Sequence, residues 1–257
     1  MVELKGTWLQ TLTWEEAATR FAEDPVVVVP VGAASKEHGA HLPLETDFIY
    51  AQSLANKVAE ALPVLIAPVV GFGYYPAFTT WPGSQHLRAD TFRALMIDLL
   101  DGFIRQGIRR LAIINTGVST EPVLQLAVRD IRDWHGIVVA TADISRLGRG
   151  ADHLMEQDNG GHADERETSV MLAIDPSRVR MNKAATDYGH RMATRTNVFR
   201  RPLILDPDPE SGADYSAHGA MGDPSLATAE KGAAVLSAMA GDLMDGLLAL
   251  WPDLAEV

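Results

Sequence analysis

The 257-residue chain contains no cysteine, which excludes a disulfide scaffold, a cysteine-ligated zinc site and a thiol nucleophile. Any metal must therefore sit on His, Asp and Glu. Basic residues are in deficit: 22 Lys and Arg face 34 Asp and Glu, a formal net charge of −12. That balance argues against a surface built to grip nucleic acid or anionic lipid, because either partner needs clustered cations. Uninterrupted apolar runs are short, well below the ~20 residues that cross a bilayer. The N-terminal residues lack the basic start and apolar block of a secretory leader. A cytoplasmic protein is expected, with neither nucleic acid nor membrane as partner. Three nucleotide or nucleophile motifs are missing as well. No Gly-Lys-Ser/Thr phosphate loop exists, Gly71-Phe72-Gly73 lacks the third glycine of a dinucleotide fingerprint, and Gly117-Val118-Ser119-Thr120-Glu121 lacks the second glycine of a nucleophile elbow.

What is present is a globular balance, 47% hydrophobic and 22% charged, with enough apolar material for a sizeable core. Val26-Val27-Val28-Val29-Pro30-Val31 is a β-branched run whose continuous hydrophobicity suits a strand buried on both faces of a parallel sheet. Comparable blocks lie at 64–70, 111–114 and 137–142. Between them, helical periodicity covers 14–22, 47–61, 90–106, 123–134, 167–174 and about 225–251, with Asp90 as an expected N-cap and Gly107 as a stop. Strands alternating with helices predict a three-layer α/β/α fold on a mostly parallel sheet. Residues 202–224, rich in Asp, Pro, Gly and Ser, read as a long loop, and 1–257 as a single domain.

Ligands of open α/β sheets bind beyond the carboxyl ends of the strands, so the loops that follow them are the places to search. The first loop, 32–47, carries His38, His41, Glu37, Glu45 and Asp47. Imidazole and carboxylate are the ligands that a cysteine-free zinc or manganese site requires, although a solvated loop with Asp47 capping a helix accounts for the composition equally well. A later stretch, Gly160-Gly161-His162-Ala163-Asp164-Glu165-Arg166-Glu167-Thr168-Ser169, opens a helix. Carboxylates are favoured at a helix start by the dipole, which explains Asp164 and Glu165 but not His162.

His38-Gly39-Ala40-His41-Leu42-Pro43-Leu44-Glu45-Thr46-Asp47 resembles the His-Gly-Pro-His-Leu-Pro-Leu-x-Thr-Asp signature of the creatininase (creatinine amidohydrolase) family. Trp81-Pro82-Gly83-Ser84 resembles that family's Phe-Pro-Gly-Thr, and His162 to Ser169 its His-Ala-Gly-Glu-x-Glu-Thr-Ser. Gly219-Ala220-Met221-Gly222-Asp223-Pro224, followed by Ala227 to Gly232, is similar to its C-terminal block. The four blocks are collinear across most of the chain. The resemblance implies a creatininase-like α/β fold and a metal-dependent amidohydrolase acting on small, sometimes cyclic, amides. It also implies a divalent ion, Zn or Mn with Fe admissible, one or two per site, and a homo-oligomer, hexameric in the family.

Carried over by motif, His38 is a metal ligand and Asp47 a carboxylate bridging two ions. His162 takes a proton-shuttling or substrate-contacting role, with Glu167 beside it. Two departures stand out. The family's glutamate ligand two residues before the histidine is replaced by Lys36, with Glu37 expected to recover that role. The family's Asn-Gly-His-Gly-Gly-Asn reads Asn115-Thr116-Gly117-Val118-Ser119-Thr120 here, so Gly117 stands where a ligand histidine is usual. Ser84, Ser119 and Glu121 are expected to contact substrate. His41 is expected to pack beside the site, and His135, His153 and His190 to lie on the surface. The contrasting expectation, from the loss at Gly117, is a metal-free, non-catalytic ligand-binding protein of the same fold.

Overall fold

The computed structural model describes residues 4–190 and 203–255. Its main sheet has five parallel strands: β1 (Thr7–Trp8), β2 (Val26–Val31), β3 (Leu65–Ile66), β4 (Arg110–Asn115) and β5 (Val139–Asp143), in the order β1-β3-β2-β4-β5. β2 is central and buried along its whole length, as its unbroken valine run requires. Its side chains alternate between two cores. Val26 and Val28 join helices α2 (Thr46–Ala61), α5 (Glu165–Ile174) and α6 (Ala229–Leu250) on one face. Val27, Val29 and Val31 join α3 (Ala89–Arg105) and α4 (Glu121–His135), with Phe21 of α1 (Trp14–Ala22), on the other. This is the expected three-layer arrangement.

Local chemistry sets most of the boundaries. Thr13 and Glu16 form a reciprocal capping box at α1. Asp164 caps α5, and Thr228 caps α6, so α6 begins after a short turn at Pro224–Leu226 and not at Ser225 itself. Asp90 falls inside the first turn of α3, where it complements the dipole and does not cap. Gly107 takes the left-handed conformation that ends that helix (φ +96°).

Three features depart from the sequence reading. β1 adds an edge strand, too short to leave a periodic signal. β3 is two residues long, because the chain leaves the sheet near Pro68 and returns only through an isolated pairing of Val70 with Val31. The 202–224 stretch, within its described part, contains the parallel pair β6 (Leu205–Asp206) and β7 (Asp214–Tyr215).

Helix α6 is long and apolar enough to cross a membrane by composition, although Asp242 and Asp245 interrupt its apolar run. Here Val235, Leu236, Met239, Leu243 and Leu247 are buried in the core, and Gly232 lets α6 approach α5 so closely that a Cβ would strike the Ser169 carbonyl.

Candidate metal centre

β2 ends at Val31 and delivers the loop 32–45 to the carboxyl edge of the sheet, where β4 and β5 also end. Gly32 is required there: a Cβ would strike the backbone carbonyl of Asp47 and the Thr116 hydroxyl. Thr116, just past β4, donates to that same Asp47 carbonyl at 2.8 Å. The start of α2 is thus pinned against the sheet edge. Asn115 closes the neighbouring corner by donating to Asp143 Oδ1 at 2.9 Å.

His38, Glu37, Lys36 and Asp47 are all buried, with His38 fully enclosed. The ring of His38 is held from both sides. Its Nδ1 lies 2.9 Å from the Lys36 carbonyl, which can only accept, so this nitrogen carries the proton. Its Nε2 lies 2.9 Å from Asp47 Oδ1, a second acceptor, so in the metal-free ring this nitrogen donates too. A cation can take the place of that second proton. Asp47 Oδ2 makes no aligned hydrogen bond but forms an ion pair with Lys36 Nζ at 2.7 Å. Burial alone would raise the Asp47 pKa; the charges of Lys36 and His38, with the hydrogen bond from His38, outweigh it and hold the carboxyl well below the usual carboxylate range.

His162 arrives from the opposite side. The backbone pairing of Met221 N with the His162 carbonyl (2.7 Å) fixes its position, and its ring centroid is 5.1 Å from that of His38 and 4.3 Å from Phe78. His162 Nε2 lies 2.8 Å from Glu37 Oε2. Burial would lower its pKa, yet the charge of Glu37 and this hydrogen bond, with Glu167 nearby, raise it above the ordinary histidine value. Ala163 follows in the left-handed region (φ +45°), a strained conformation for a residue with a Cβ. That turn lets Ala163 N donate to Glu167 Oε2 at 2.6 Å and brings Glu167 to the histidines. Among the described residues, His38, His162 and Glu167 each offer one ligand atom, and the three atoms lie within 4.8 Å of one another. Two imidazoles and a carboxylate are a donor set that zinc accepts. His162 has Nε2 on the Glu37 carboxylate and His38 has Nδ1 on the Lys36 carbonyl, the usual support for a metal-binding histidine, and the His38 nitrogen that would meet an ion is the Nε2 now on Asp47. The residues therefore fit a divalent ion.

This set differs in membership from the sequence expectation. Glu37 and Asp47, expected as ligands, are engaged with His162 and His38, while His162 and Glu167, expected as catalytic groups, supply converging donors. Gly117 is buried near Asn115 and Thr120 and offers no ligand.

A cavity of about 520 Å3 opens at this end of the molecule, lined in part by Val118, Asp152, Gln157, Asp164, Arg166 and Glu167. The expected substrate contacts are not among its lining residues. Ser84 Oγ instead accepts from Glu37 N at 3.0 Å and steadies the loop. Glu121 pairs with Arg146 at 3.6 Å, and Ser119 sits in the turn Val118–Thr120. The residues missed from sequence are Lys36 as the partner of Asp47, and Gly219, where a Cβ would run into the Glu37 carboxylate.

The remaining residues are structural. Asp164 accepts from Glu167 N and Gly161 N at 3.0 Å each. Glu165, fully buried, accepts from Glu156 N and Gln157 N at 2.8 Å and pairs with Lys231. His135, His153 and His190 are exposed as expected.

His41 packs beside the centre with Nε2 2.8 Å from Thr168 Oγ1. Burial, opposed by the carboxylates of Glu167 and Glu37, lowers its pKa to about 4. Between its ordinary value of 6.5 and about 4, the unfolded chain binds a proton that the folded ring refuses. Stability of the metal-free protein should therefore fall as pH drops through that window. His41→Gln should remove part of the slope in urea titrations at pH 7, 5.5 and 4.5, and an unchanged slope would contradict the assignment.

Comparison with known proteins follows the same geometry. Residues 10–247 match the family Creatininase, described as creatinine amidohydrolase. The creatinine amidohydrolase of Pseudomonas putida is 26% identical over 96% of this chain and 98% of its own length. A mycofactocin precursor peptide peptidase of Mycobacterium tuberculosis is 29% identical over 85% of this chain and 82% of its own. Among solved structures, a manganese creatininase superposes with a TM-score of 0.77 at 23% identity, covering 96% of this chain and 99% of that one. A zinc–zinc creatininase variant gives 0.77 at 24%, covering 95% and 98%. With nearly the whole chain matched, and the four collinear blocks folding around one buried cluster, the chain belongs to the creatininase family.

Proposed function

We propose that this chain is a metal-dependent amidohydrolase that cleaves a C–N bond of a small amide, cyclic amides included, with zinc or manganese at His38, His162 and Glu167. The observation that carries the reading is the convergence of those three ligand atoms within 4.8 Å at the carboxyl edge of a parallel sheet. When bound, the ion supplies Lewis-acid polarisation of a carbonyl and acidifies water. Glu37 Oε2, beside His162 Nε2, is placed to take a proton and return it to the leaving nitrogen. The same contact holds the His162 ring in register. The Lys36 carbonyl does this for His38 through Nδ1, leaving Nε2 as the nitrogen that would meet the ion. The cavity along Gln157, Asp164 and Glu167 has the volume of a small-molecule site. The reading carries with it a single domain over 1–257, a cytoplasmic location and a homo-oligomer, for which exposed Trp14, Val118, Trp134 and Leu250 offer apolar contacts.

A peptide amide is the second substrate class, favoured by the peptide-cleaving relative at 29% identity. Protein loaded with Mn or Zn, assayed against cyclic amides, formamides and short peptides, should release amine from one class and stop on chelation. Metal-loaded protein inert towards all three, or hydrolysis indifferent to chelator, would refute the reading.

A further inference from the structure

The cluster is richer in anions than one divalent ion needs. Glu37, Asp47 and Glu167 meet around two histidines, and both Glu37 and Asp47 are buried. A buried carboxylate without a counter-charge is costly, so the neutralisation of Asp47 has to be accounted for. Lys36 supplies it. Its side chain is 8% exposed, its Nζ is 2.7 Å from Asp47 Oδ2, and it stands 5.0 Å over the ring of Phe78, which itself lies against His162. The ammonium is thus enclosed inside the cluster, between the carboxylate that holds His38 and the ring that backs His162. A metal ion coordinated by Asp47 Oδ2 would have to displace it or accept repulsion from a unit charge a few ångströms away.

We propose that the Lys36 ammonium serves as a built-in cation in the place of a second metal ion, leaving a centre that holds one ion at His38, His162 and Glu167. The inference rests on the metal reading above and goes beyond it in assigning the stoichiometry to one side chain. It also makes the pair Lys36–Asp47 a positioning device: the ion pair fixes the carboxylate whether or not a metal ion is present, so His38 keeps its orientation in the metal-free protein.

The test is metal counting by equilibrium dialysis and elemental analysis of the full chain with Zn or Mn alone, on wild type and Lys36→Glu. Wild type should bind one ion per chain, and Lys36→Glu, which removes the ammonium and adds a carboxylate, should bind two. Two ions on wild type, or one on a folded Lys36→Glu, would overturn the proposal. No ion on wild type but one on Lys36→Glu would refute the three-residue metal set while upholding the exclusion by Lys36; none on either would overturn both. Should Lys36→Glu fail to fold, Lys36→Met, which keeps length and apolar stem, is titrated against a chromophoric chelator. Affinity at least about tenfold tighter than wild type is expected from losing one like charge near the ion, and equal or weaker affinity would overturn the proposal.

Discussion

His162→Ala is expected to strip bound metal from the purified protein and lower amide hydrolysis by roughly a thousandfold or more, since a Lewis acid contributes several kcal/mol of transition-state stabilisation. The variant should stay folded: the backbone pairing of residue 162 with Met221 does not need the side chain. Glu37→Gln makes the informative contrast. It leaves the three converging donors in place and removes only the charge that His162 Nε2 meets at 2.8 Å, so metal affinity should fall by about 10–100-fold, the usual effect of losing a ligand's supporting partner. Its residual activity with saturating metal then isolates the proton-transfer role of Glu37. Elemental analysis and steady-state rates on both variants check this. Full metal content in His162→Ala would contradict the ligand set, and a wild-type rate in saturated Glu37→Gln would remove the proton-transfer role.

The second large effect concerns folding. Asp47→Ala leaves the Lys36 ammonium buried without its carboxylate, and breaking one side of a buried pair costs about 3–5 kcal/mol. The double variant Lys36→Met/Asp47→Leu should recover most of that loss in stability, because apolar side chains of similar volume can replace a buried pair at little cost, although it should fail to hold His38 for metal. The sign of the pH dependence follows from the lowered Asp47 pKa. The pair's contribution is complete above the ordinary carboxyl range and is lost only as pH falls below it, so the difference between wild type and Asp47→Ala should be constant from neutrality to about pH 4 and shrink below. Urea unfolding of the metal-free proteins at several pH values measures it. A cost below about 1 kcal/mol at pH 7 would show the pair to be solvent-screened.

The sequence exposes these features unevenly, for physical reasons. The valine run of β2 and the helix periodicities follow from burial on both faces and on one stripe, and both leave a pattern in a single sequence. β1 is too short to do so, the apolar block 64–70 marks β3 but overstates its length, and the β6–β7 pair is set by tertiary contacts of Leu205 and Asp214 that no local period reports. His38, Asp47, His162 and Glu167 were legible as chemically suited side chains on loops at strand ends, but which of them converge depends on the left-handed turn at Ala163 and on the register of the 32–45 loop. Lys36 illustrates the limit most clearly. In the sequence it stands two residues before His38 as a departure from a motif; folded, it is buried against Asp47. Ser84 has a role that its motif position does not report, since its hydroxyl accepts from the backbone of Glu37.

The central claim, one divalent ion held by His38, His162 and Glu167, is tested most directly by anomalous diffraction from crystals of the full chain grown with manganese or zinc. The account predicts a single strong peak roughly 2.0–2.3 Å from one nitrogen of each imidazole and from a Glu167 oxygen, with the Lys36 ammonium still on Asp47. An absent peak, or one coordinated by other residues while His38 and His162 remain bound to Asp47 and Glu37 alone, would contradict it.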